Sequence, residues 1–492
     1  MSEVVLKDLP ESWEWTKLGE VIIKIVGGGT PSKNTAKYWE GNIPWLTIKD
    51  MRTQRPADTI DHITQEAVDE SSTNLIPADT VIMATRVGLG KVVRVPYATT
   101  INQDLKALIT PPELDKSYLE YWLVLKAQYL GSIGSGTTVK GIRLEQVKGL
   151  DFPLAPAEQQ KRIVAKIEEL FSHIDAGIAA LNKAKQLLKK YRQSVLKAAV
   201  TGELTKQWRE DRLKDDVQGS TSAAGAGSAG AAKLEPASQL LERILQERRQ
   251  KWEAKQLEQF KAKGKVPKDD GWKGKYKEPE AYELECQYPG WIKCRLDLVI
   301  DSIGGYAFKS KDFSEAGHQV VKMANIKMEV LDLDNRPSFI CDISGEIVAK
   351  YKILNNDILI TLTGTREKRD YGYVVHVVNN EKSLLLNQRI ARLRAFLPET
   401  SKFLSAFLQS EPYRNDFFSY ETGNVGQGNV GMRALTEVEV RLPGLYEQRE
   451  IVSQYAEKIA ASLRLEREIE KQLLKAEKNK QSILASAFSG KI

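Results

Sequence analysis

The stretch that decides the fold is QKRIVAKIEELFSHIDAGIAALNKAKQLLKKYRQSVLKAAVTG, residues 160–202. The chain repeats this stretch 288 positions later, without a gap, at residues 448–490. Identical pairs include Gln160/Gln448, Ile163/Ile451, Gln193/Gln481, Leu196/Leu484 and Gly202/Gly490. Both copies follow a short apolar stretch that contains proline, and both end in glycine. A repeat of this length indicates that the whole architecture is duplicated.

Apolar residues in both copies recur at helical spacing. In the first copy, one row has residues seven apart and a second row is offset from it by three or four, which is typical of a coiled coil. The first row is Ile167, Ile174, Leu181, Leu188 and Val195, and the second is Ile163, Leu170, Gly177, Ala184, Tyr191 and Ala198. The second copy has the less regular set Ile451, Tyr455, Ile459, Leu463, Ile469, Leu473 and Ile483. The pattern predicts two long helices packed against each other, although each helix could instead pack on its own globular unit.

The segments before each helix repeat more loosely. The matched pieces are Trp13–Ile22 with Trp291–Ile300, Gly27–Gly28 with Gly304–Gly305, Pro77–Ile82 with Asn355–Ile360, Asn102–Gln103 with Asn387–Gln388, and Lys140–Arg143 with Val430–Arg433. Short β-branched runs such as Val92–Val95 and Tyr373–Val375 alternate with turn residues, which predicts mostly β units. Short helices are predicted at Ser117–Tyr129 and Ser401–Gln409. The predicted fold class is α+β, with the two helices antiparallel and the two halves related by a pseudo-two-fold axis.

These patterns predict five segments along the chain. They are a first globular domain at 1–155, a first long helix at 156–208, a flexible linker and charged central region at 209–287, a second globular domain at 288–443, and a second long helix at 444–492. The linker includes the low-complexity run GSTSAAGAGSAGAA at 219–232. A charged helix is predicted at Ala237–Ala262, followed by a polar extended stretch.

Composition excludes several classes of protein. The 492 residues are 42% hydrophobic and 28% charged, which is typical of a globular protein and suggests about three domains. No apolar run is long enough for a transmembrane helix, and the first residues do not resemble a secretory signal, so we expect a cytoplasmic protein without a membrane partner. The net charge of +7 permits a polyanionic partner without requiring one.

Motifs for catalysis are not found in the sequence. Gly88–Leu89–Gly90–Lys91 lacks the first glycine and the Ser/Thr of a phosphate-binding loop and is interpreted as a turn. The histidines and cysteines have neither zinc-ligand nor triad spacing. We therefore predict a binding protein with no active site, no metal site and no cofactor of its own. The alternatives are a coiled-coil scaffold without DNA affinity and an unrecognised DNA-modifying enzyme.

The order of the motifs resembles that of the specificity subunits of type I restriction–modification systems. The residues that carry the resemblance are Gly28–Ser32, Tyr38–Trp39–x–Gly41–x–Ile43–Pro44–Trp45, Asn102–Leu105, the loop 136–142, Pro156–Val164 and Ser194–Arg209. The opening motif is Gly28–Ser32 followed by Tyr38–Trp45. The second half departs from it, because it has Gly304–Gly305–Tyr306–Ala307–Phe308 at the corresponding place.

The resemblance implies a function and a set of partners. Each target recognition domain would bind one half of an asymmetric, bipartite site in double-stranded DNA. The helices would set the gap between the halves and bind two methyltransferase subunits, which use S-adenosylmethionine to methylate adenine. Motor–nuclease subunits would supply restriction with ATP and Mg²⁺.

Candidate DNA contacts follow from side-chain chemistry, since Arg and Lys bond guanine or phosphate and Asn and Gln bond adenine. In the first half they are Thr30, Ser32, Lys33, Arg86, Lys91, Thr137, Thr138, Lys140 and Arg143. In the second half they are Tyr306, Lys309, Arg366, Lys368, Arg369, Gln427, Asn429 and Arg433. The helix–helix contacts are assigned to Ile163, Ile167, Leu170, Ile174, Leu181, Leu188, Val195, Ile451, Tyr455, Ile459, Leu473 and Ile483.

Overall fold

The structure is a computed structural model that describes residues 9–135, 141–212, 235–280, 284–423 and 426–492. The chain divides into two compact units: unit 1 comprises residues up to 185 together with 467–492, and unit 2 comprises 186–466. Each unit therefore includes part of both long helices. The low-complexity run at 219–232 lies outside the described residues.

Unit 1 contains two four-stranded sheets. In spatial order, the first has Lys24–Gly27, Leu105–Ile109, Val81–Ala84 and Val92–Arg94, and the second has Asp61–Ile63, Ile43–Leu46, Thr99–Ile101 and Leu75–Ile76. A separate pair joins Glu14–Lys17 to Asp151–Leu154. The helices are Leu18–Val21, Gln65–Asp69, Lys116–Leu125, Ala127–Ile133 and Leu144–Lys148, with a 3-10 turn at Ala36–Trp39. The single helix predicted at 117–129 is thus two helices, because Lys126 ends the first of them.

Unit 2 repeats this arrangement. Its two four-stranded sheets are Ile300–Gly304, Ile390–Ala395, Ile358–Thr361 and Val374–His376, and Phe339–Ile340, His318–Val321, Leu384–Leu386 and Lys352–Ile353. Smaller sheets join Leu284–Glu285, Ile292–Arg295 and Glu439–Leu442; Thr363–Thr365, Gln427–Val430 and Glu421–Thr422; and Ile326–Lys327 with Val330–Leu331. The helices are Ala237–Ala262, Leu296–Val299, Gly345–Tyr351, Ser401–Gln409 and Glu411–Ser419, with 3-10 turns at Asp270–Lys275, Ser310–Asp312, Met323–Asn325, Pro398–Thr400 and Met432–Leu435. The fold is therefore a mixed α+β fold in two parts.

One inner strand of the first four-stranded sheet is apolar on both faces in each unit: Val81–Ala84 in unit 1 and Ile358–Thr361 in unit 2. In unit 1, Val81 and Met83 pack into the cluster that includes the helix Lys116–Leu125, whereas Ile82 and Ala84 pack against the second sheet. In unit 2, Ile358 and Ile360 belong to one core and Leu359 to another. A strand covered on both faces needs a continuous apolar run, which explains why these segments do not alternate with polar residues.

The two long helices are Ala157–Val200 and Leu445–Phe488. The inward face of the first helix departs from the two heptad rows at two positions. The heptad prediction is therefore wrong at Gly177 and Tyr191, which are exposed, and Ile178 and Arg192 take the inward positions. It is also wrong at Leu463, which is 45% exposed next to the buried Ser462.

Polar contacts join the two helices within each unit. In unit 1, Lys480 pairs with Asp175 and Lys185 pairs with Glu470 at 2.6 Å. Moving ten residues forward along the first helix thus moves ten residues back along the second, so these helix segments are antiparallel. In unit 2, Arg192 pairs with Glu466 at 2.8 Å. Arg192 and Lys480 occupy the same position of the 288-residue repeat, so the two units use equivalent cations.

A buried polar network surrounds the start of the second long helix. Glu447 accepts hydrogen bonds from the Trp291 indole at 2.8 Å, the Thr205 hydroxyl at 2.7 Å and the Arg209 guanidinium at 2.9 Å. Arg209 also lies over the rings of Tyr288 and Trp291. Glu447 and Arg209 are almost fully buried, so each charge depends on the other for compensation.

Unit 1 has the neutral counterpart of this network. Gln159 occupies the repeat position of Glu447 and accepts a hydrogen bond from the Trp13 indole at 2.6 Å. The helix ends also correspond: Gly202 lies against Tyr288 and Gly490 lies against Pro10, both with positive φ. The repeat therefore extends to tertiary contacts. Of the two equivalent residues, however, Glu447 of unit 2 is charged and Gln159 of unit 1 is neutral.

The charged helix Ala237–Ala262 has the predicted bounds and packs on unit 2 through Ala237, Leu240, Leu241 and Ile244. The polar stretch after it is not simply extended. It forms the 3-10 turn Asp270–Lys275, and Trp272 stacks on Trp252 of the helix with ring centroids 6.1 Å apart. The two tryptophans bring the chain back onto the helix, which the polar composition of this segment did not indicate.

No helix within the described ranges is long and apolar enough to cross a membrane. Among those same residues, no group of three His, Cys, Asp or Glu side chains is placed to hold a metal ion.

The network at Glu447 leads to a stability prediction. In the Glu447→Ala variant the Arg209 guanidinium stays buried without its partner, which costs about 3–5 kcal/mol. The matched variant Gln159→Ala removes two neutral hydrogen bonds, one from the Trp13 indole and one to the Ser12 hydroxyl, which together cost about 1–2 kcal/mol. Urea unfolding of the full chain, followed by circular dichroism, measures both. Equal shifts of the two unfolding midpoints would show that the ion pair contributes nothing beyond a neutral contact.

Candidate nucleic-acid interface

The loop that follows the strand Lys24–Gly27 of unit 1 carries three of the candidate DNA contacts. A Cβ atom on Gly28 would lie 2.0 Å from the Ile101 carbonyl oxygen, so the loop leaves the sheet in contact with backbone. The indole of Trp45 donates to the Gly29 carbonyl at 3.1 Å, and that of Trp39 donates to the Ser32 carbonyl at 3.2 Å. The two indoles also meet edge to face. The tryptophans of the opening motif thus hold the loop, and they leave Ser32 and Lys33 exposed.

The same loop borders a surface cavity of about 920 Å³. Its polar lining includes Thr30, Lys33, Lys49, Asn102 and Gln103, together with the carboxylates Glu40, Asp61 and Asp104. Thr30 donates its hydroxyl hydrogen to the Gln103 amide oxygen. The cavity therefore offers donors and acceptors of both charges, which suits base edges better than phosphate alone.

The other candidates of unit 1 are distributed beside this cavity. Arg86 is exposed and lies 3.4 Å from the Asp104 carboxylate, which lines the cavity. Lys91 instead donates to the Met51 carbonyl at 3.4 Å, and Arg143 is exposed at the start of the helix Leu144–Lys148. Thr137, Thr138 and Lys140 lie outside the described residues. Lys106 was missed in the sequence; burial lowers the pKa of its ammonium group, which lies beside Gln103.

The corresponding loop of unit 2 has different side chains on the same frame. A Cβ atom on Gly305 would lie 1.9 Å from the Asn387 carbonyl oxygen, as at Gly28. Tyr306 is half-buried between the rings of Phe308 and Tyr351, at 5.0 and 5.3 Å. Lys309 is exposed just before the 3-10 turn Ser310–Asp312.

Two of the unit 2 candidates, Gln427 and Asn429, lie on an element here called the polar ribbon: strands Thr363–Thr365 and Gln427–Val430, paired antiparallel. Thr365 lies opposite Gln427, and Thr363 lies opposite Asn429. Gln427 and Asn429 are exposed, whereas Gly428 between them is buried. A Cβ atom at Gly428 would lie 2.3 Å from the Tyr371 hydroxyl, so glycine is needed on the inner face.

A buried hydrogen bond supports the inner face of the polar ribbon. The hydroxyl of the fully buried Tyr371 donates to the carboxylate of Glu421, which is on the neighbouring strand Glu421–Thr422. Burial raises the pKa of Tyr371, and the bond to Glu421 raises it further. The phenol therefore stays protonated and keeps donating.

A basic turn follows the first strand of the ribbon. Arg366, Lys368 and Arg369 are exposed, and the Arg369 guanidinium lies over the Phe418 ring at 4.8 Å. Arg366 lies 3.5 Å from Glu421. Arg433, three residues after the ribbon, is exposed and pairs with Glu437 at 2.8 Å. The turn thus places cations directly beside the exposed amides, where phosphate contacts would position the protein on DNA.

Two repeat assignments made from the sequence are out of step. The match of Pro77–Ile82 to Asn355–Ile360 is wrong by one residue, because Asp79 and Asn356 both have positive φ and donate equivalent backbone amides to the Val95 and Val377 carbonyls. The match of Lys140–Arg143 to Val430–Arg433 is wrong by two residues. The Ile142 amide donates to the Thr85 carbonyl at 2.8 Å, and the Val430 amide donates to the Leu362 carbonyl at 2.9 Å. Ile142 therefore corresponds to Val430, not to Met432. The sequence alignment matched Lys140–Arg143 to Val430–Arg433 because both contain glycine followed two residues later by arginine.

Sequence reasoning also missed Thr365 and Thr422, which flank Gln427 and Asn429 on the ribbon. The signal that could have found them is the alternation of glycine with polar residues in TGT at 363–365 and QGN at 427–429. Small residues on one face and hydrogen-bonding residues on the other indicate a strand that lies tightly on a core.

The close approach at Gly305 leads to a prediction with an internal control. In Gly305→Ala the new methyl group must displace the Asn387 carbonyl and with it the loop, at a cost of about 1–3 kcal/mol. In Gly304→Ala the nearest atom would be the Met432 sulfur at 3.8 Å, which is ordinary contact. Thermal unfolding of both variants tests this, and equal melting temperatures would contradict it.

Comparison with known proteins identifies the family. A model described as the type I restriction modification DNA specificity domain matches residues 10–186 and 289–475. The chain is similar to the type I restriction enzyme EcoR124I/EcoR124II specificity subunit of Escherichia coli, with 32% identity over 195 residues, 37% of this chain and 48% of that protein. It is also similar to the MjaIX specificity subunit of Methanocaldococcus jannaschii, with 29% identity over 199 residues, 38% of this chain and 44% of that protein. The chain spans about half the length of these relatives.

A solved structure shares the fold. One chain from a study of complex assembly and conformational transition of the type I R-M system superimposes with a TM-score of 0.60 at 17% identity, over 99% of this chain and 100% of that one. Because the family model matches more than half of the chain, once in each half of the repeat, the chain belongs to the family of type I restriction–modification specificity subunits.

Proposed function

We propose that this chain recognises a bipartite, asymmetric sequence in double-stranded DNA, one half with each unit. The observation that carries the proposal is a shared backbone frame with different exposed side chains. The bonds Ile142 to Thr85 and Val430 to Leu362 are equivalent, yet Gly141 stands in unit 1 where the exposed Asn429 stands in unit 2. Likewise, the exposed Arg86 of unit 1 stands where unit 2 has the buried Thr363. Equal frames with unequal polar surfaces suit two different base sequences.

The contacts in this proposal are exposed or half-buried polar residues of the two loops, the cavity edge, the polar ribbon and the segments next to it. In unit 1 they are Thr30, Ser32, Lys33, Arg86, Lys91 and Arg143, and in unit 2 they are Tyr306, Lys309, Arg366, Lys368, Arg369, Gln427, Asn429 and Arg433. Lysine and arginine would neutralise phosphates, and binding would therefore weaken as salt rises.

The long helices act in this proposal as an antiparallel coiled coil with pseudo-two-fold symmetry that sets the gap between the half-sites. Each helix has 44 residues, or about 66 Å at 1.5 Å per residue, which exceeds one turn of DNA. The ion pairs at Arg192 and Lys480 support the pairing, because they occupy equivalent positions of the repeat.

The chain would direct chemistry that partner subunits perform. Two methyltransferase subunits would bind along the helices and methylate adenine with S-adenosylmethionine, and motor–nuclease subunits would restrict unmodified DNA with ATP and Mg²⁺. In this proposal the chain determines which DNA sequence the partner subunits act on and the spacing between its halves.

A domain exchange tests independent recognition by the two units. Replacing residues 1–150 with the first recognition domain of another family member is expected to change one half of the methylated sequence and leave the other half intact. The measurement is genome-wide mapping of methylated adenine after co-expression with the methyltransferase subunits. A change in both halves, or in neither, would refute it.

An insertion tests the role of the helices. Seven residues added at equivalent positions of both helices lengthen them by about 10 Å and rotate the apolar stripe by only about 20°. We expect the gap to grow by about three base pairs of 3.4 Å, detected by the same mapping. The control adds seven residues within 219–232, where we expect an unchanged gap. A fully active helix variant with the original gap would show that the helices do not set it.

A further inference from the structure

The polar ribbon of unit 2 has the geometry of a base-recognition element. Its outer face carries Gln427 and Asn429, with Thr365 and Thr422 on either side. Neither side-chain amide makes a hydrogen bond to another described residue. Its inner face is closed by Gly428 and Val430 against Tyr371. The ribbon therefore presents two amides that have no partner among the described residues, on a backbone that packing holds in place.

We propose that the polar ribbon enters the major groove and that Gln427 and Asn429 each bond an adenine, at base pairs two steps apart. This inference rests on the proposed function and specifies which bases unit 2 recognises. The two amides lie on the middle strand of a three-stranded sheet whose outer strand, Glu421–Thr422, is only two residues long. Proteins read the major groove with β-strands as well as with helices, and Gln and Asn bond the N6 and N7 atoms of adenine in a bidentate manner.

The spacing follows from the strand. Residues i and i+2 of a strand project on the same face about 6.8 Å apart. Two base-pair steps in DNA have the same length, about 6.8 Å at 3.4 Å each. Gln427 and Asn429 thus match alternate base pairs, and the pair between them lies opposite Gly428, which has no side chain to contact it.

The basic turn completes the element. Arg366 donates its backbone amide to the Gly426 carbonyl at 3.4 Å, so the turn adjoins the Gln427 end of the ribbon. The exposed cations Arg366, Lys368 and Arg369 would then contact phosphates beside the groove and fix how deeply the ribbon enters. Lysine and arginine near the rim and amides on the ribbon match the division between positioning and base recognition.

The first test uses nearly isosteric variants in the full chain, co-expressed with the methyltransferase subunits. The half-site recognised by unit 2 should contain A·T pairs two steps apart, in addition to the methylated adenine. Asn429→Asp replaces a donor by an acceptor, which favours cytosine. The preference for adenine over cytosine at one of those positions should therefore change by about tenfold or more. Gln427→Glu should change the other position. The control is Asn379→Asp, an exposed residue in a turn with positive φ, which should leave the motif unchanged.

The second test asks whether the contact is direct. Purified complex is titrated with duplexes in which 7-deazaadenine, which lacks the N7 acceptor, replaces one of the two adenines. The replacement should weaken binding of the unaltered complex by about tenfold at each position, and the Asn429→Ala complex should be insensitive at its own position alone. Independent effects of the base and the side chain would overturn the proposal.

The outcomes separate this inference from the proposed function. A chain that directs methylation to no bipartite sequence overturns both. A bipartite motif that lacks the two A·T pairs, or that stays the same in Asn429→Asp and Gln427→Glu, overturns the base assignment while the proposed function stands.

Discussion

The apolar stripe of each long helix is the constraint on which the rest of the structure depends. The stripe of the first helix contributes Ile163 and Ile167 to the core of unit 1, and Ala199 and Val200 to the core of unit 2. The second helix contributes Ile451 to unit 2, and Leu484 and Phe488 to unit 1. Neither core is made from a continuous piece of chain, because each is completed by helix ends that are far apart in sequence. Burial of these residues couples the folding of each unit to both helices.

The two units share their backbone framework because the chain is duplicated, and they differ in the polar side chains that the framework exposes. Residues with a repeated structural task keep their chemistry: Gln160 and Gln448 each donate to a carbonyl just before the helix, and Gly28 and Gly305 each lie against backbone. Residues without such a task differ, as at Gly141 and Asn429. The proposed recognition of two unlike half-sites would need this separation, since a change in a base contact should not disturb the core.

The charge difference between the two helix starts is a second kind of divergence. Glu447 is compensated by Arg209, whereas Gln159 is neutral and is satisfied by Trp13 and Ser12. Exchanging the two environments would leave a buried charge without a partner, which is costly. The network thus distinguishes one copy of the repeat from the other, although the backbones of the two helix starts correspond.

The sequence by itself determined the duplication, the two long helices, the α+β class and the family, because these depend on periodic patterns and motif order. It also indicated Gln427, Asn429 and the basic turn as polar candidates. Tertiary structure decided the inward positions of Ile178 and Arg192. A heptad count ignores the side chains of the partner helix, such as Glu466, which pairs with Arg192. Tertiary structure also decided the alignment of Ile142 with Val430 and the fold-back of Trp272 onto Trp252. These depend on hydrogen bonds and ring contacts between distant residues, and no local pattern specifies which distant atoms will meet.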